Sequence, residues 1–239
     1  MLAVFKRDFK AYFTSAIGYI YLGAYIFVLN LVFFLENALG GSASLTGVFG
    51  FMLLVMMFIT PILTMRVFSE EFKQGTDQLM LTAPVKLPCV VMGKFLSSLS
   101  VFCCLLALSL LWPYAISLMG ENNIAEVAGN YFGILCIGAA YIAMGVFISS
   151  LTENQVIAAV GSLGLFVSLY IFEIVATFFY RSGALPAAVM QVLRFISIFG
   201  RYSSISRGVL ALDDIIFLLS VCASFLFLTI RRLERRRWV

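Results

Sequence analysis

The residue types that carry most site chemistry are either absent from this sequence or badly placed for it. There is no histidine, which excludes a His/Cys zinc site. The five cysteines, Cys89, Cys103, Cys104, Cys136 and Cys222, form no Cys-x-x-Cys pair and fall almost entirely in apolar runs. They read as small buried hydrophobes. The one Gly-Lys pair, Gly93-Lys94, is followed by Phe95 and lacks a glycine five positions before Gly93, so the phosphate-cradling loop pattern fails. Lys94 stands at the start of an apolar run and is expected to snorkel to the headgroups.

What remains is a polar island from Arg66 to Val85 between two greasy runs. With Lys86 it holds six of the chain's 28 charged residues. Ser69 can cap a helix whose first turn holds Glu70 and Glu71, favourable beside the positive helix end. Phe68, Phe72 and Leu79 share one face at helical spacing. Gly75 interrupts, Thr76-Asp77 can cap a second turn, and Pro84 and Pro88 end the segment. The pattern predicts a short amphipathic helix over 68–83, lying along the membrane, in preference to a solvated loop. A segment this long and this patterned is suited to being read by another molecule.

The elements that must position the island follow from composition. Of 239 residues, 62% are hydrophobic and 12% charged, against about 45–50% and about 25% in soluble domains. A bilayer span takes roughly 20 apolar residues, so the length allows about six spans and no separate soluble catalytic domain. The expected fold is an all-α polytopic membrane protein, one transmembrane domain over 1–239, with spans at 16–35, 46–67, 89–119, 130–150, 156–179 and 213–230. Pro61 should kink the second span. Residues 1–15 place Leu2, Phe5, Phe9, Tyr12 and Phe13 at helical spacing, with Lys6, Arg7 and Lys10 largely elsewhere. This predicts an interfacial helix, basic side toward headgroups. The same stretch lacks the apolar core and small-x-small site of a cleavable leader.

Charge asymmetry supplies the orientation. Twelve Lys and Arg fall on the N-terminal flank, the island with its edges and the C-terminus, and four fall on the other side. By the positive-inside rule both termini and the island are cytoplasmic. The same rule accounts for the formal +4 charge better than nucleic-acid binding does. Three further constellations stand out. The short loop holding Glu153, Asn154 and Gln155 reads equally well as a second contact for a cytoplasmic partner or as a plain polar turn. The outer segment 180–212 carries Arg194, Arg201 and Arg207 with Arg181 and predicts an amphipathic helix broken at Pro186 and Gly200. Its arginines, against the charge bias, call for anionic headgroups or an outside-facing protein. Glu173 lies inside the fifth span, where a carboxylate is costly. It lines a path or reaches the outer interface, the second being preferred. Gly129/Gly133, Gly138/Ala139 and Gly161/Gly164 allow close helix contact.

The island also carries a family resemblance. Arg66, Ser69-Glu70-Glu71, Lys73, Gly75-Thr76 and Leu79-Met80-Leu81-Thr82-Ala83-Pro84-Val85, followed by Gly93-Lys94-Phe95, resemble the coupling-helix region of type-2 ABC exporter permeases. The likeness is greatest to the bacterial gliding-motility-type permeases. Arg207-Gly208-Val209-Leu210 with Asp213-Asp214, and Leu233-Glu234 with Arg236-Arg237-Trp238, agree with it, so the resemblance spans essentially the whole chain. It implies a multi-pass protein of the bacterial inner membrane that docks on a separate ABC ATPase in two copies, with a second permease copy or a homologous permease beside it. ATP and Mg would lie on the ATPase, with no cofactor, metal or catalytic residue in this chain. It implies a coupling surface of Glu70, Glu71, Gly75, Thr76, Leu79 and Pro84, with Ser69 as its cap, and short re-entrant outer helices between spans five and six. An auxiliary partner with a large extracytoplasmic domain also belongs to the implied assembly. Two other functions stay open: an ATPase-independent secondary transporter or channel, which would need a relay of intramembrane charges, and a membrane scaffold performing mechanical work. The cargo is not legible.

Overall fold

The computed structural model describes residues 1–39, 45–76, 86–117, 124–182, 200–202 and 212–237. Among them the chain is helical and contains no strand. Helix α1 (Leu2–Thr14) and helix α2 (Ala16–Phe33) meet at Ser15, whose extended backbone separates them. The bend is tight: a Cβ on Gly18 would sit 2.5 Å from the Tyr12 carbonyl oxygen, so glycine is required there. A π-helical turn, Phe34–Leu39, ends α2. Then come α3 (Thr46–Thr64), α4 (Ser69–Gln74), α5 (Leu87–Ser109), α6 (Leu111–Ser117), α7 (Ile124–Ser149), α8 (Gln155–Ser182) and α9 (Leu212–Arg237).

Among the described residues, six helical segments are long and apolar enough to cross a membrane: Ala16–Asn37, Thr46–Gln74, Leu87–Ser117, Ile124–Ser149, Gln155–Phe179 and Leu212–Arg236. The fourth begins at Ile124, not at 130, and so absorbs part of the expected polar loop. Glu126 in its first turn suits the positive helix end. The third is broken at Leu110, between α5 and α6. The cause is Pro113, which has no N–H to offer the Ser109 carbonyl four residues back. The Tyr131 hydroxyl donates to that carbonyl instead, at 2.9 Å.

Helix α7 sits at the centre and touches α3, α5, α8 and α9. Its small residues explain the position. A Cβ on Gly138 would overlap the buried Phe102 ring of α5, and one on Gly145 would overlap the Thr64 side chain of α3. Tyr141 stacks on Phe166 of α8 with centroids 4.5 Å apart. Helices in lipid gain little from burying apolar surface, so close packing of this kind is what holds the bundle. The exterior stays apolar: Phe27 of α2, Val160 of α8 and Ile216 of α9 are each more than 60% exposed. Water would not tolerate such a surface, whereas hydrocarbon does.

Gly145→Val should destabilise the fold by about 1–3 kcal/mol, the cost of overpacking a stiff neighbour. Gly164→Ala, where nothing lies within 4 Å of the added carbon, should be neutral. Thermal unfolding in detergent distinguishes the two.

Candidate functional site

The polar end of the bundle is built around the C-terminal end of α3. A helix leaves its last carbonyls without intrahelical donors, and here three other helices supply them. The Tyr12 hydroxyl of α1 donates to Leu63 O at 3.0 Å and lies 2.9 Å from Ser98 Oγ. Ser149 Oγ of α7 donates to Met65 O at 3.1 Å. Lys94 Nζ of α5 donates to Val67 O at 2.8 Å. The turn at 65–68 then runs directly into α4.

Lys94 departs most from expectation. It does not snorkel: its side chain is only 3% exposed. Its ammonium lies 3.1 Å from Asp8 Oδ2 of α1 and 2.9 Å from Glu71 Oε1 of α4, and 5.2 Å from the centroid of the Phe68 ring. Arg7 joins the cluster, with Nη2 2.6 Å from Glu71 Oε1 and Nε 2.8 Å from Asp8 Oδ1. Arg66 forks onto Glu70 and reaches Ser15 Oγ at 2.9 Å. Three cations thus face three carboxylates around a cavity of about 320 Å³ between α1, the end of α3 with α4, and α5. Lys94 is buried rather than solvated because carboxylates on two neighbouring elements supply the compensation a buried cation requires.

The island's first half is a helix, but it starts differently from the expectation. The N-cap is Phe68 and makes no side-chain cap bond. Ser69 is not the cap: its hydroxyl turns back to Met65 O. The amides of Phe68 and Ser69 donate instead to Ser149 Oγ, at 3.1 and 3.2 Å. This follows from entry through a continuous turn, which leaves no extended residue to cap from. Phe68 and Phe72 stack with centroids 6.0 Å apart and turn inward, both buried. Gly75 ends α4 with φ of +68°, a left-handed conformation that favours glycine. The Gly75 and Thr76 amides donate to Phe72 O and Glu71 O at 3.2 and 3.1 Å. The Thr76 hydroxyl also turns back, to Glu71 O at 3.3 Å; the second turn expected after Thr76-Asp77 lies outside the described residues. Leu79 and Pro84 lie outside the described residues, as does the rest of 77–85.

The other expected residues separate into two groups. Glu153 pairs with Arg236 of α9 at 2.8 Å. Asn154 Oδ1 accepts from Val156 N at 2.9 Å, capping α8, whose first residue is Gln155. Arg236 also lies 4.0 Å over the Phe72 ring, so this loop and α4 meet through α9. At the opposite end of α9, Arg201 is buried and pairs with Asp214 at 2.9 Å, over the Phe217 ring. One of the outer arginines therefore finds its counter-ion within the chain. Tyr202 donates to Asn130 Oδ1 at 2.7 Å. Glu173 accepts from Thr177 Oγ1 at 3.4 Å. Arg194, Arg207 and most of the 180–212 segment lie outside the described residues. Sequence reasoning misses Asp8 and Ser149 altogether, and it reads Tyr12 as part of an interfacial face, Lys94 as a snorkelling anchor and Arg236 as part of a C-terminal motif. Asp8, a lone acid in a basic helix, was the available signal, together with Lys94 one turn before Ser97 and Ser98.

Lys94→Met should cost about 3–5 kcal/mol, because two carboxylates lose their buried cation. Adding Asp8→Asn and Glu71→Gln should recover part of that loss in detergent melts. Burial pushes the Tyr12 phenol up from its ordinary value of 10.0 to about 12. Its contribution is therefore full below pH 10 and lost as the pH rises through 12, which tyrosinate absorbance and melting temperature follow together. Gly75→Ala has open space around it but must adopt the left-handed backbone. It should cost about 1–2 kcal/mol in the same melts.

Comparison with known proteins agrees with this architecture. The family model for the ABC-2 family transporter protein matches residues 18–238, nearly the whole chain. No curated protein matches. Permeases of this family are membrane subunits that generally work with an ABC ATPase. This chain belongs to the ABC-2 transporter family and is a membrane permease of an ABC transporter.

Proposed function

We propose that this permease is the membrane-spanning part of a type-2 exporter in a bacterial inner membrane, and that α4 receives the work of a separate ATPase. One observation carries the reading: α4 has a buried, tied face and an exposed, free one. Lys73, Gln74, Gly75 and Thr76 are exposed. On the other face Glu71 holds Lys94 of α5 and Arg7 of α1. The amides beside it hold Ser149 of α7, and Phe72 meets Arg236 of α9. A partner pressing on the exposed face displaces four membrane helices or their extensions at once.

In this reading Leu79 and Pro84 extend the contact surface, and Glu153, Asn154 and Gln155 form a second, smaller one. Both termini and α4 are cytoplasmic. Two ATPase copies bind ATP and Mg, and a second permease copy or a homologous permease completes the pore. The resemblance to gliding-motility-type permeases suggests an output of either export or motion of an extracytoplasmic partner, with Glu173, Arg194, Arg201 and Arg207 on the path or facing that partner. An ATPase-independent transporter would need charges distributed along its spans. Among the described residues the ion-paired groups gather instead at the two ends of the bundle, around Lys94 and around Arg201.

The test is a permease carrying Lys73→Glu, a charge reversal on the exposed face at a residue that does not line the ion-paired cavity. Its melting temperature should be unchanged, while retention of the ATPase on affinity purification falls about tenfold or more and stimulated hydrolysis is lost. Unchanged complex formation together with unchanged ATPase activity would overturn the proposal.

A further inference from the structure

The two segments proposed to face the ATPase, α4 and the turn at 151–154, already lie side by side: α4 touches α8, the helix that the turn leads into, and Ser149, just before the turn, accepts from the first amides of α4. One guanidinium adds a side-chain link between them. Arg236, in the last turn of α9, donates from Nη2 to Glu153 Oε1 at 2.8 Å. The same group lies 4.0 Å over the ring of Phe72. That ring is buried and stacks on Phe68, 6.0 Å away. The arginine therefore bridges three segments far apart in sequence: α4, the α7–α8 turn and α9. Helix α9 in turn packs along α7 and α5, and Leu233, three residues before Arg236, is buried.

The chemistry suits a clamp more than a stability device. Glu153 is 61% exposed and Arg236 31%. An exposed ion pair and a single cation–π contact each contribute little to folding. Their geometry is nonetheless selective. A guanidinium can sit over the Phe72 ring while one of its N–H groups reaches a carboxylate, and lysine's single ammonium lacks that extended donor shape. Weak contacts placed between moving segments can be lost without unfolding the chain, yet they decide whether a displacement of one segment carries the other.

We infer that Arg236 is a positioning residue that locks α4 to the Glu153 turn, so that both ATPase-facing segments and α9 move as one body. The inference rests on the proposed function and adds to it a route by which force on either segment reaches α9. It also gives Glu153 a second role: its carboxylate orients the arginine.

The experiment uses the full chain with the ABC ATPase that copurifies with it, in lipid nanodiscs. Complex yield, KM for ATP and permease-stimulated kcat are measured for the wild type, Arg236→Gln, Arg236→Lys and Glu153→Gln. In Arg236→Gln, yield and KM should stay within about twofold while stimulated kcat falls about tenfold, within the usual range of intersite coupling. Arg236→Lys should fall nearly as far, since it keeps the charge but cannot hold both the ring and the carboxylate as the guanidinium does. Glu153→Gln should fall less. The double charge swap Arg236→Glu with Glu153→Arg should not restore activity, because Phe72 is left without its cation. Unchanged kcat in Arg236→Gln overturns the clamp while leaving the proposed function standing. A parallel loss of complex yield also overturns it, making Arg236 a docking or folding residue. If the wild-type chain neither binds nor stimulates an ATPase, the proposed function and the clamp fall together.

Discussion

The structure depends on the compensation of one buried charge. Lys94 lies within an apolar helix, almost without solvent, and an ammonium in that setting loses several kcal/mol of hydration. The chain returns this through two carboxylates and a carbonyl held within hydrogen-bonding reach. Asp8 comes from α1, Glu71 from α4, and Val67 O from the turn after α3. Moving any of the three away leaves the buried cation a partner short. The mutual placement of these elements is therefore set by an electrostatic requirement, and hydrophobic packing then fills in around it. Arg7 adds a second cation shared between the two carboxylates, so neither is left with a single partner.

The same region resolves a backbone problem. Where α3 ends, its final carbonyls need donors, and hydrocarbon offers none. Tyr12, Lys94 and Ser149 reach in from α1, α5 and α7 to provide them. Ser149 acts in both directions, donating to Met65 O and accepting from the first amides of α4. A helix end that most proteins would finish with water or a local cap is here completed by its neighbours. This makes the end of α3 and the start of α4 a shared property of the bundle and ties a short helix to spans distant in sequence.

The rest of the molecule is permissive by comparison. Helix α7 holds the centre through glycines that admit Phe102 and Thr64. The flanks of α2, α8 and α9 remain apolar and exposed, suited to lipid or to another permease. A second ionic anchor, Arg201 with Asp214, fixes the start of α9 at the far end of the bundle. Among the described residues the ion pairs thus gather at the two ends of the bundle, while side-chain hydrogen bonds such as Tyr25 to Met52 O and Trp112 to Asn30 tie the spans between them.

The sequence by itself determined the class. Runs of apolar residues long enough for a bilayer dictate helices, because only helices satisfy their own backbone in hydrocarbon. Gly75 and the island's polar pattern act through local geometry, so the end of α4 and the existence of a distinct element were legible, whereas the break at Leu110 before Pro113 was not read. The string from Arg66 to Val85 also carried the family. What only the tertiary structure decided was which charges meet. Lys94 looked like a headgroup anchor, Ser69 like a cap and Glu71 like a surface acid. Their actual partners lie 23 to 86 residues away or on an unexpected side of the chain. A charge near a span end is compatible with solvent, lipid or a counter-ion, and spacing along one chain does not distinguish these. Only the approach of α1 and α4 to α5, which creates a dry site with two carboxylates in it, makes the counter-ion the lowest-energy choice.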